Sequence, residues 1–330
     1  MNHNITRFFE QMKQSRVAFI GTGVTNGDII RLFRKKGIEV TLLDRKTADK
    51  LGAAYDEFKA LGVQFCLGDA YLDHLTDYDV VFRSPGMYYH NEKLQQARAQ
   101  GVVITSEMEV FFQLCPCKIY AVTGSDGKTT TTTLISEFLS RAGYRVHKGG
   151  NIGRALLPII DDIREEDVAV VELSSFQLLS MRQSPDVAVI TNIAPNQLDV
   201  HGTMEEYIYA KTNLIAHQDA FSRTILNQDN EATMNLASMV RGTLTTFSRK
   251  PQAAVGTVLR EDGMLRIVVT DKGCGIEDVP QAMQPMFTTG GPERAGLGFA
   301  VMESFMDRVK VRSAPGRGTR VTLEKKLGRR

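Results

Sequence analysis

The chain has 330 residues, of which 42% are hydrophobic and 24% charged, a composition typical of globular proteins with two or three domains. Its formal net charge of +2 gives no indication of nucleic-acid binding, and no apolar stretch is long enough to cross a membrane. The N-terminal residues lack the apolar core of a signal peptide and the four cysteines are scattered, so we expect a cytoplasmic protein with reduced thiols.

The chain opens with a predicted strand, a glycine turn, a helix and a second strand. Arg16–Ile20 predicts the first strand, Gly21–Gly27 the turn, Asp28–Lys36 the helix and Glu39–Leu43 the second strand, which ends at Asp44. An acidic residue after the second strand is typical of nucleotide-binding Rossmann-like folds. The glycine spacing is one residue away from the dinucleotide fingerprint, so a structural turn that binds nothing stays as an alternative.

A second candidate turn follows later in the same segment. Val63–Leu67 and Asp79–Phe82 read as strands, and the second of them runs into the turn Ser84–Met87. A Ser-Pro-Gly turn at the carboxyl end of a strand lies where α/β folds place ligands. As a turn alone, it has no functional implication.

The clearest local signal is a phosphate-binding pattern. Ile119–Val122 predicts a buried strand, Thr130–Ala142 predicts a helix, and the sequence between them reads GSDGKT. The glycines allow backbone N–H groups to face phosphate oxygens, and the start of the helix adds partial positive charge. Lys128 would add a mobile cation and the Thr129 hydroxyl a ligand for Mg²⁺. The spacing is two residues shorter than the usual Walker A motif, and the alternative is a glycine turn that opens an ordinary helix.

Strands and helices continue to alternate after this loop, which predicts a mainly parallel sheet. Further strands are predicted at Tyr144–His147, Asp167–Leu173, Val187–Thr191 and Thr224–Asn227, and a helix at Met204–His217. Glu172 lies near the end of its strand. A carboxylate there, beside the strand of the phosphate loop, is well placed for the Mg²⁺ of a nucleotide.

Several stretches resemble the Mur ligase family. They are AVTGSDGKTT, GGNIG, ELSSFQL, NIAPNQLDVHGTMEEYIYAK and ILNQDNEAT, preceded by GTGVT and RSPGM, and they span residues about 10 to 250. The similarity is greatest to members that add D-glutamate to UDP-N-acetylmuramoyl-L-alanine in peptidoglycan synthesis. The resemblance implies that the carboxylate of the UDP-sugar takes the γ-phosphoryl group of ATP. The amine of D-glutamate then attacks the acyl phosphate.

The resemblance also implies roles for individual residues. ATP phosphates would be held by Gly124, Ser125, Asp126, Gly127, Lys128, Thr129 and Thr130. Mg²⁺ would be held by Thr129, Glu172, Lys211 and Gln197. Catalytic roles fall to Lys128, Lys211, Asn151 and Ser174. The UDP-sugar would contact Val24, Thr25, Asp44, Ser84, Pro85, Gly86 and Met87, and adenine and ribose would lie near Asn227 and Asp229.

The resemblance places Lys211 and Gln197 at two metal-binding positions of the family. Lys211 stands where the family carries a carbamylated lysine, which supplies an anionic oxygen to a hard cation. From the residues alone it is a lysine on an amphipathic helix. Gln197 stands where the family has a histidine metal ligand.

The pattern changes from about residue 252. Met264–Asp271 predicts a strand that runs into DKGCG, Gly296-Leu297-Gly298 opens a helix that reaches Met306, and Val309–Ser313 with Thr319–Glu324 predicts a hairpin. D-x-G-x-G followed by G-x-G before a helix fits adenine recognition by an aspartate and phosphate enclosure by glycines. The alternative is a set of glycine turns in a β-sheet domain.

This segment resembles the C-terminal half of the GHKL ATPase family, and within it the anti-sigma-factor serine kinases of sporulating bacteria. The resemblance implies that Asp271 contacts adenine and that the phosphates are enclosed by Gly273, Gly275, Gly296 and Gly298. A sigma factor or an anti-anti-sigma protein is then the expected partner. The upstream helix with Glu and Asn that the family uses for catalysis is not recognised before Gly256.

We therefore predict an α/β chain with three parts. They are a Rossmann-like UDP-sugar-binding domain at 1–117, a truncated P-loop ATP-binding domain at 118–252 and a partial GHKL-type α/β sandwich at 253–330. The expected function is D-glutamate ligation with ATP and Mg²⁺, without nucleic-acid or membrane binding. Turnover is expected to be impaired because the third domain of the family is not recognised. The alternative function is an anti-sigma-factor-type serine kinase or regulator.

Overall fold

The structure is a computed structural model that describes residues 3–194, 203–249, 256–259, 264–271, 273–288 and 296–326. The chain divides into two compact units. The first consists of Met1–Thr224 with Asn235–Leu244, and the second of Ile225–Met234 with Thr245–Arg330. Within these described ranges, no helix has the length and apolar character needed to span a membrane.

The first unit begins with a five-stranded parallel sheet. Its strands are β1 (Val17–Ile20), β2 (Val40–Asp44), β3 (Gln64–Leu67), β4 (Val80–Arg83) and β5 (Val103–Thr105), in the order β3-β2-β1-β4-β5. The helices of this part are α1 (His3–Lys13), α2 (Val24–Lys35), α3 (Ala48–Leu51), α4 (Ala53–Ala60), α5 (Glu92–Ala99) and α6 (Glu107–Leu114). The strand order reverses beside β1, as in Rossmann-like folds, so the carboxyl ends of β1 and β4 border a crevice.

Apolar side chains on the central strands form the core of this sheet. All four residues of β1 are buried, and all four of β4 are buried as well. The rings of Phe19 and Phe82 stack with centroids 4.7 Å apart, and Phe33 from α2 meets both rings edge-on. A strand that is buried on both faces reads as a continuous apolar run, which explains the VAFI sequence of β1.

A second parallel sheet carries the phosphate-loop pattern. Its strands within the first unit are β6 (Lys118–Thr123), β7 (Val146–Gly150), β8 (Val168–Glu172) and β9 (Val187–Ile190), in the order β9-β6-β8-β7. The helices are α7 (Lys128–Arg141), α8 (Ser175–Leu178) and α9 (Met204–Ala216), with a 3₁₀-helix at Leu157–Asp162. Because the strands are parallel, the carboxyl ends of β6, β8 and β9 meet at one edge.

The second unit contains mainly antiparallel strands. They are β10 (Arg223–Asn227), β11 (Thr243–Ser248), β12 (Gly256–Leu259), β13 (Met264–Thr270), β14 (Arg308–Ser313) and β15 (Thr319–Lys326), in the order β14-β15-β13-β12-β11-β10. The pairs from β12 to β14 are antiparallel, whereas β11 and β12 pair in parallel. Short helices lie at α10 (Glu231–Met234), α11 (Val279–Ala282) and α12 (Gly298–Phe305).

The prediction of an α/β chain with parallel sheets is confirmed, and most predicted strands end within two residues of the observed positions. Two boundaries were wrong. Helix α2 begins at Val24 rather than Asp28, because the N–H of Gly27 already donates to the carbonyl of Gly23 (3.0 Å). Strand β7 extends to Gly150, since its last residues pair with β8. The three-domain division stays a prediction.

Candidate active site

The loop between β6 and α7 has the backbone conformation that its glycines predict. Gly127 adopts a left-handed conformation with φ 76°, and α7 begins at the next residue, Lys128. A Cβ atom at Gly124 would collide with the Thr191 hydroxyl, which follows β9. The loop therefore requires glycine at one position for its backbone angle and at the other for space.

Side chains from the neighbouring elements fix this loop. The Asn192 Oδ1 accepts hydrogen bonds from the N–H groups of Ser125 (3.0 Å) and Asp126 (2.8 Å). The Thr191 hydroxyl donates to the Asp126 carbonyl (2.6 Å), and the Ser125 hydroxyl lies 3.0 Å from the Tyr207 hydroxyl. The sequence reasoning missed Asn192 and Tyr207 as supports of the loop. The position of Asn192 directly after a strand that neighbours β6 was the available signal.

A buried carboxylate lies beside the start of α7. Glu172, at the end of β8, is 1% exposed. It accepts hydrogen bonds from the Thr129 hydroxyl (2.7 Å) and from the Asn151 side-chain amide (2.8 Å). A hydroxyl and a carboxylate are the hard oxygen ligands that Mg²⁺ prefers. The pair therefore fits a divalent cation whose remaining ligands come from phosphate and water.

This arrangement differs from an all-protein metal cage. Among the residues that the structure describes, no group of three or more His, Cys, Asp or Glu side chains is arranged to hold a metal ion. Mg²⁺ is commonly bound through one or two carboxylates together with the phosphates of a substrate. The predicted ligand Gln197 lies outside the described residues.

Two lysines converge on one carbonyl of the loop. Lys128 Nζ donates to the carbonyls of Gly124 (3.0 Å) and Ser125 (2.9 Å). Lys211 Nζ, from α9, donates to the Gly124 carbonyl (3.1 Å) and to the Thr123 hydroxyl (3.4 Å). Lys211 is 1% exposed, and burial followed by the charge of Lys128 lowers the pKa of Lys211 to about 7. The site thus combines a cation with an amine that is partly neutral near pH 7.

Two other predicted residues occupy local structural positions. The Ser174 hydroxyl accepts a hydrogen bond from the Gln177 N–H (3.3 Å), and the Gln177 side chain accepts one from the Ser174 N–H (3.0 Å). This reciprocal pair is the capping box of α8. Thr130 is exposed in the first turn of α7. Their catalytic and phosphate-binding roles stay predictions.

The two turns predicted to bind the UDP-sugar follow neighbouring strands. Thr25 lies in the first turn of α2 after β1, and Pro85 lies in the turn after β4. Both line one small pocket, and Gln177 of α8 lines the same pocket. Gln177 is therefore a candidate contact that the sequence reasoning did not single out.

The remaining predicted sugar contacts lie at the same edge of the five-stranded sheet. Val24 is the first residue of α2, and Asp44 is the last residue of β2. The Asp44 carboxylate accepts a hydrogen bond from the Lys46 N–H (2.8 Å). The turn predicted around Gly86 is present, since the N–H of Met87 donates to the Ser84 carbonyl (3.0 Å).

The residues predicted to lie near adenine and ribose have partners in their own loop and at the end of β11. The Asn227 side chain accepts from the Asp229 N–H (2.9 Å), and the Asp229 carboxylate accepts from the Ser248 hydroxyl (2.6 Å). These bonds hold the end of β10 to the end of β11 in the second unit. Contact with a nucleotide stays a prediction for both residues.

The second unit contains a groove of about 1270 Å³. It is lined by three of the glycines that the sequence singled out, Gly275, Gly296 and Gly298. Asp271 and Gly273 lie outside that lining, and the Asp271 carboxylate accepts a hydrogen bond from the Gly273 N–H (2.8 Å). The groove is thus lined by both glycines of the G-x-G motif, but of the predicted residues in the D-x-G-x-G motif only Gly275 lines it.

Family models match three segments of the chain. The Mur ligase MurD-like N-terminal domain matches residues 15–106, and the Mur ligase middle domain matches residues 122–277. The histidine kinase-, DNA gyrase B- and HSP90-like ATPase domain matches residues 235–329, so the last two matches overlap over residues 235–277. The resemblances to the Mur ligases and to the GHKL ATPases are therefore confirmed, and the resemblance to anti-sigma-factor kinases stays a prediction.

Curated relatives agree with the first two matches. The UDP-N-acetylmuramoylalanine–D-glutamate ligase of Acetivibrio thermocellus is 45% identical over 262 residues, which are 79% of this chain and 56% of the relative. The enzyme of the same name from Ruminiclostridium cellulolyticum is 44% identical over 280 residues, covering 82% and 60%. The chain therefore spans less than two thirds of the length of these relatives.

A solved structure shows the same fold. It is the UDP-N-acetylmuramate:L-alanyl-gamma-D-glutamyl-meso-diaminopimelate ligase from Neisseria meningitides, with a TM-score of 0.51 and 17% identity over 76% of this chain and 83% of that one. The matches of sequence, in turn, show that the chain contains Mur ligase domains at residues 15–106 and 122–277.

Proposed function

We propose that this chain is an ATP-dependent ligase that joins D-glutamate to UDP-N-acetylmuramoyl-L-alanine, a step of peptidoglycan synthesis in the cytoplasm. One observation carries the proposal. Lys128, Thr129, Glu172 and Lys211 surround a single phosphate-type loop, in a chain 45% identical to a ligase of that name. ATP and the UDP-sugar are the substrates that this arrangement would take.

The loop and the start of α7 would bind the phosphates of ATP. Among the described residues no side chain caps the first turn of α7, so its N–H groups can donate to phosphate oxygens. The Lys128 ammonium lies over the loop and would neutralise part of the phosphate charge. Both effects favour transfer of a phosphoryl group, because charge is spread over its oxygens as it moves.

Thr129 and Glu172 would hold the Mg²⁺ that accompanies ATP. The cation would neutralise charge between the phosphate oxygens when bound. Asn151 donates to Glu172 and so orients the carboxylate (2.8 Å), which gives it a positioning role in this proposal. Gln197 is proposed as a further ligand from its place in the motif alone.

Lys211 is proposed to be carbamylated. The neutral amine would attack carbon dioxide, forming an N–C bond and releasing a proton, and would thereby become an anionic oxygen ligand. Its burial and the nearby charge of Lys128 support this, because both disfavour an ammonium at Lys211. Carbon-13 NMR with labelled carbon dioxide should show a carbamate signal that Lys211→Arg removes and Lys118→Arg, at an exposed position, retains. A signal that survives Lys211→Arg would disprove this assignment.

The phosphoryl acceptor, which is the carboxylate of the UDP-sugar, would lie between the N-terminal turns and this loop. We assign the UDP-sugar to Thr25, Pro85 and Gln177, which line one pocket, together with their neighbours Val24, Ser84, Gly86 and Met87 and with Asp44. The carboxylate of the UDP-sugar would take the γ-phosphoryl group. The amine of D-glutamate would then attack the acyl carbon, and inorganic phosphate would leave. Ser174 is proposed on the substrate side of this centre.

The test is phosphate release from ATP by the purified full chain. We expect release that requires both UDP-N-acetylmuramoyl-L-alanine and D-glutamate. Lys128→Ala should abolish it, and Lys118→Ala, which removes an exposed lysine from the strand before the loop, should not. No substrate-dependent release would argue against the ligase function.

A second candidate function is nucleotide binding by the C-terminal segment. The ATPase-domain match and the groove lined by Gly275, Gly296 and Gly298 favour it. Titration with an ATP analogue and Mg²⁺ separates the two sites. Loss of binding in Asp271→Ala alone would support the C-terminal site, and loss in Lys128→Ala alone would support the loop. Recognition of a sigma factor or an anti-anti-sigma protein stays a prediction of the sequence.

A further inference from the structure

A second cavity of the first unit lies beside β5, the edge strand of the five-stranded sheet. Its volume is about 390 Å³, within the range of small-molecule sites. It is lined by residues 101–105 and by side chains from α5, from α6 and from the segment after α8. None of the positions assigned above to the UDP-sugar, nucleotide or metal lines it.

Arginines dominate the charge around this cavity. Arg98 and Arg182 line it, and Arg83 lies close enough to interact electrostatically with Arg98 and with Glu109. Glu109 is the one carboxylate among the lining residues that the structure describes. Two guanidinium groups therefore line the cavity with one carboxylate, which leaves an excess of positive charge.

The Glu109 carboxylate makes its hydrogen bonds with hydroxyl groups. Its Oε2 accepts hydrogen bonds from the hydroxyls of Ser106 (2.6 Å) and Ser180 (3.1 Å). Burial raises the pKa of Glu109, against the lowering effect of these hydrogen bonds and of the charges of Arg83 and Arg98. One carboxylate offsets only part of the charge of the two arginines that line the cavity.

Arg98 has a donor with no acceptor. Its Nη1 donates to the Tyr89 carbonyl (3.1 Å), and its guanidinium carbon lies 3.9 Å from the centroid of the Tyr89 ring. Its Nη2 is buried and has no hydrogen-bond partner among the described residues. A buried donor without a partner is costly, and a charged donor more so, because it has lost its water.

Arg83 does not line this cavity but lines the small pocket of Thr25 and Pro85, and it is almost fully buried at the end of β4. Its Nη2 donates to the Phe176 carbonyl (3.1 Å) and to the Ser180 hydroxyl (2.6 Å), which holds it in place. The unused buried donor that belongs to a lining residue of the cavity is therefore Arg98 Nη2. A buried guanidinium with an unused donor points to a ligand that supplies an acceptor and negative charge.

We propose that this cavity, called here the arginine pocket (Tyr89, Arg98, Glu109, Ser180 and Arg182), binds a small ligand through a carboxylate or phosphate group. Arg98 supplies the buried donor from below. Arg182 is exposed and makes no hydrogen bond or ion pair with the described residues, so its guanidinium is available to close over the ligand. Both groups present the planar fork that suits oxyanions.

Calorimetric titration of the full chain with inorganic phosphate, and separately with glutarate, tests the proposal. The titrations use Lys128→Ala as the starting chain, so that phosphate bound at the loop after β6 does not contribute. We expect saturable binding of at least one probe. Arg182→Gln should weaken it at least about fivefold through loss of one charged hydrogen bond. Arg7→Gln, which removes an equal charge from exposed α1, should leave it unchanged.

The two probes identify the class of ligand. Binding of phosphate alone assigns a phosphate group to the pocket, and binding of glutarate alone assigns a carboxylate. The proposal is overturned if neither probe binds saturably at millimolar concentration, or if Arg182→Gln and Arg7→Gln weaken binding equally. Neither result bears on the ligase function, which is measured in the chain with Lys128 intact.

Discussion

Glu107→Gln should raise the free energy of unfolding at pH 8 and leave it nearly unchanged at pH 5. Glu107 begins α6 and is 4% exposed. Its Oε1 accepts hydrogen bonds from the N–H groups of Leu156 (2.8 Å) and Leu157 (2.9 Å). Burial raises the pKa of this carboxyl to about 7, against the lowering effect of the two hydrogen bonds. Glutamine keeps a carbonyl acceptor and has no proton to lose.

The magnitude follows from the pKa of Glu107 in the two states. It rises from 4.5 to about 7 on folding, and at about 1.36 kcal/mol per pKa unit this corresponds to roughly 3 kcal/mol. Between pH 4.5 and about pH 7, Glu107 keeps its proton in the folded chain but has released it in the unfolded chain. The free energy of unfolding therefore falls as the pH rises through this window. Above pH 7 the full penalty is present in the wild-type chain and absent from Glu107→Gln.

Urea unfolding at pH 5 and pH 8, followed by circular dichroism, measures the difference. Glu165→Gln, at an exposed position, is the matched control and should shift the free energy of unfolding equally at both pH values. The reasoning is refuted if Glu107→Gln changes stability by the same amount at pH 5 and pH 8. It is also refuted if the variant gains stability at pH 5 instead.

Three substitutions around the phosphate loop give further predictions. Thr129→Val should weaken binding of an ATP analogue with Mg²⁺ by tenfold or more in calorimetry. Thr129→Ser keeps the hydroxyl beside Glu172 and should bind within a few-fold of wild type. Equal losses of affinity in the two variants would contradict the metal-ligand role of Thr129. Gly124→Ala should lower the midpoint of thermal unfolding, because the new methyl group meets the Thr191 hydroxyl, and an unchanged midpoint would show that the loop can shift. Tyr207→Phe should cost about 1 kcal/mol in urea unfolding through loss of its bond to Ser125, and no cost would mean that water replaces it.

Local patterns in the sequence were sufficient for the elements that frame the site. The alternation of apolar strands with amphipathic helices predicted β1 and β6 to within two residues, because both strands are buried runs bounded by glycine turns. The start of α2 was predicted too late in the chain because of the same kind of glycine pattern. The glycine spacing reads as a turn through Gly27, whereas in the folded chain Gly27 is already inside the helix.

The properties of the individual side chains depend on contacts that local patterns do not contain. From its helix alone Lys211 is an ordinary exposed lysine, yet it is buried against Gly124, which lies 87 positions away in the chain. Arg83 ends a strand, where a charged residue is usually solvated, but its partners Phe176 and Ser180 lie more than 90 positions away. Long-range packing also determines the pKa of Glu107, so no spacing rule could have revealed it.

The shared carbonyl of Gly124 has a consequence for ligand selection. It accepts hydrogen bonds from the Nζ atoms of both Lys128 and Lys211, so neither side chain is unbonded in the loop. An arriving ligand must replace bonds that already exist, and exchange of one charged hydrogen bond for another contributes little. A ligand with a single negative charge therefore gains little at this loop. A polyphosphate gains more, because it can contact Lys128 and the start of α7 together. The loop therefore selects for ligands with several negative charges, independently of any contact with the base or the sugar.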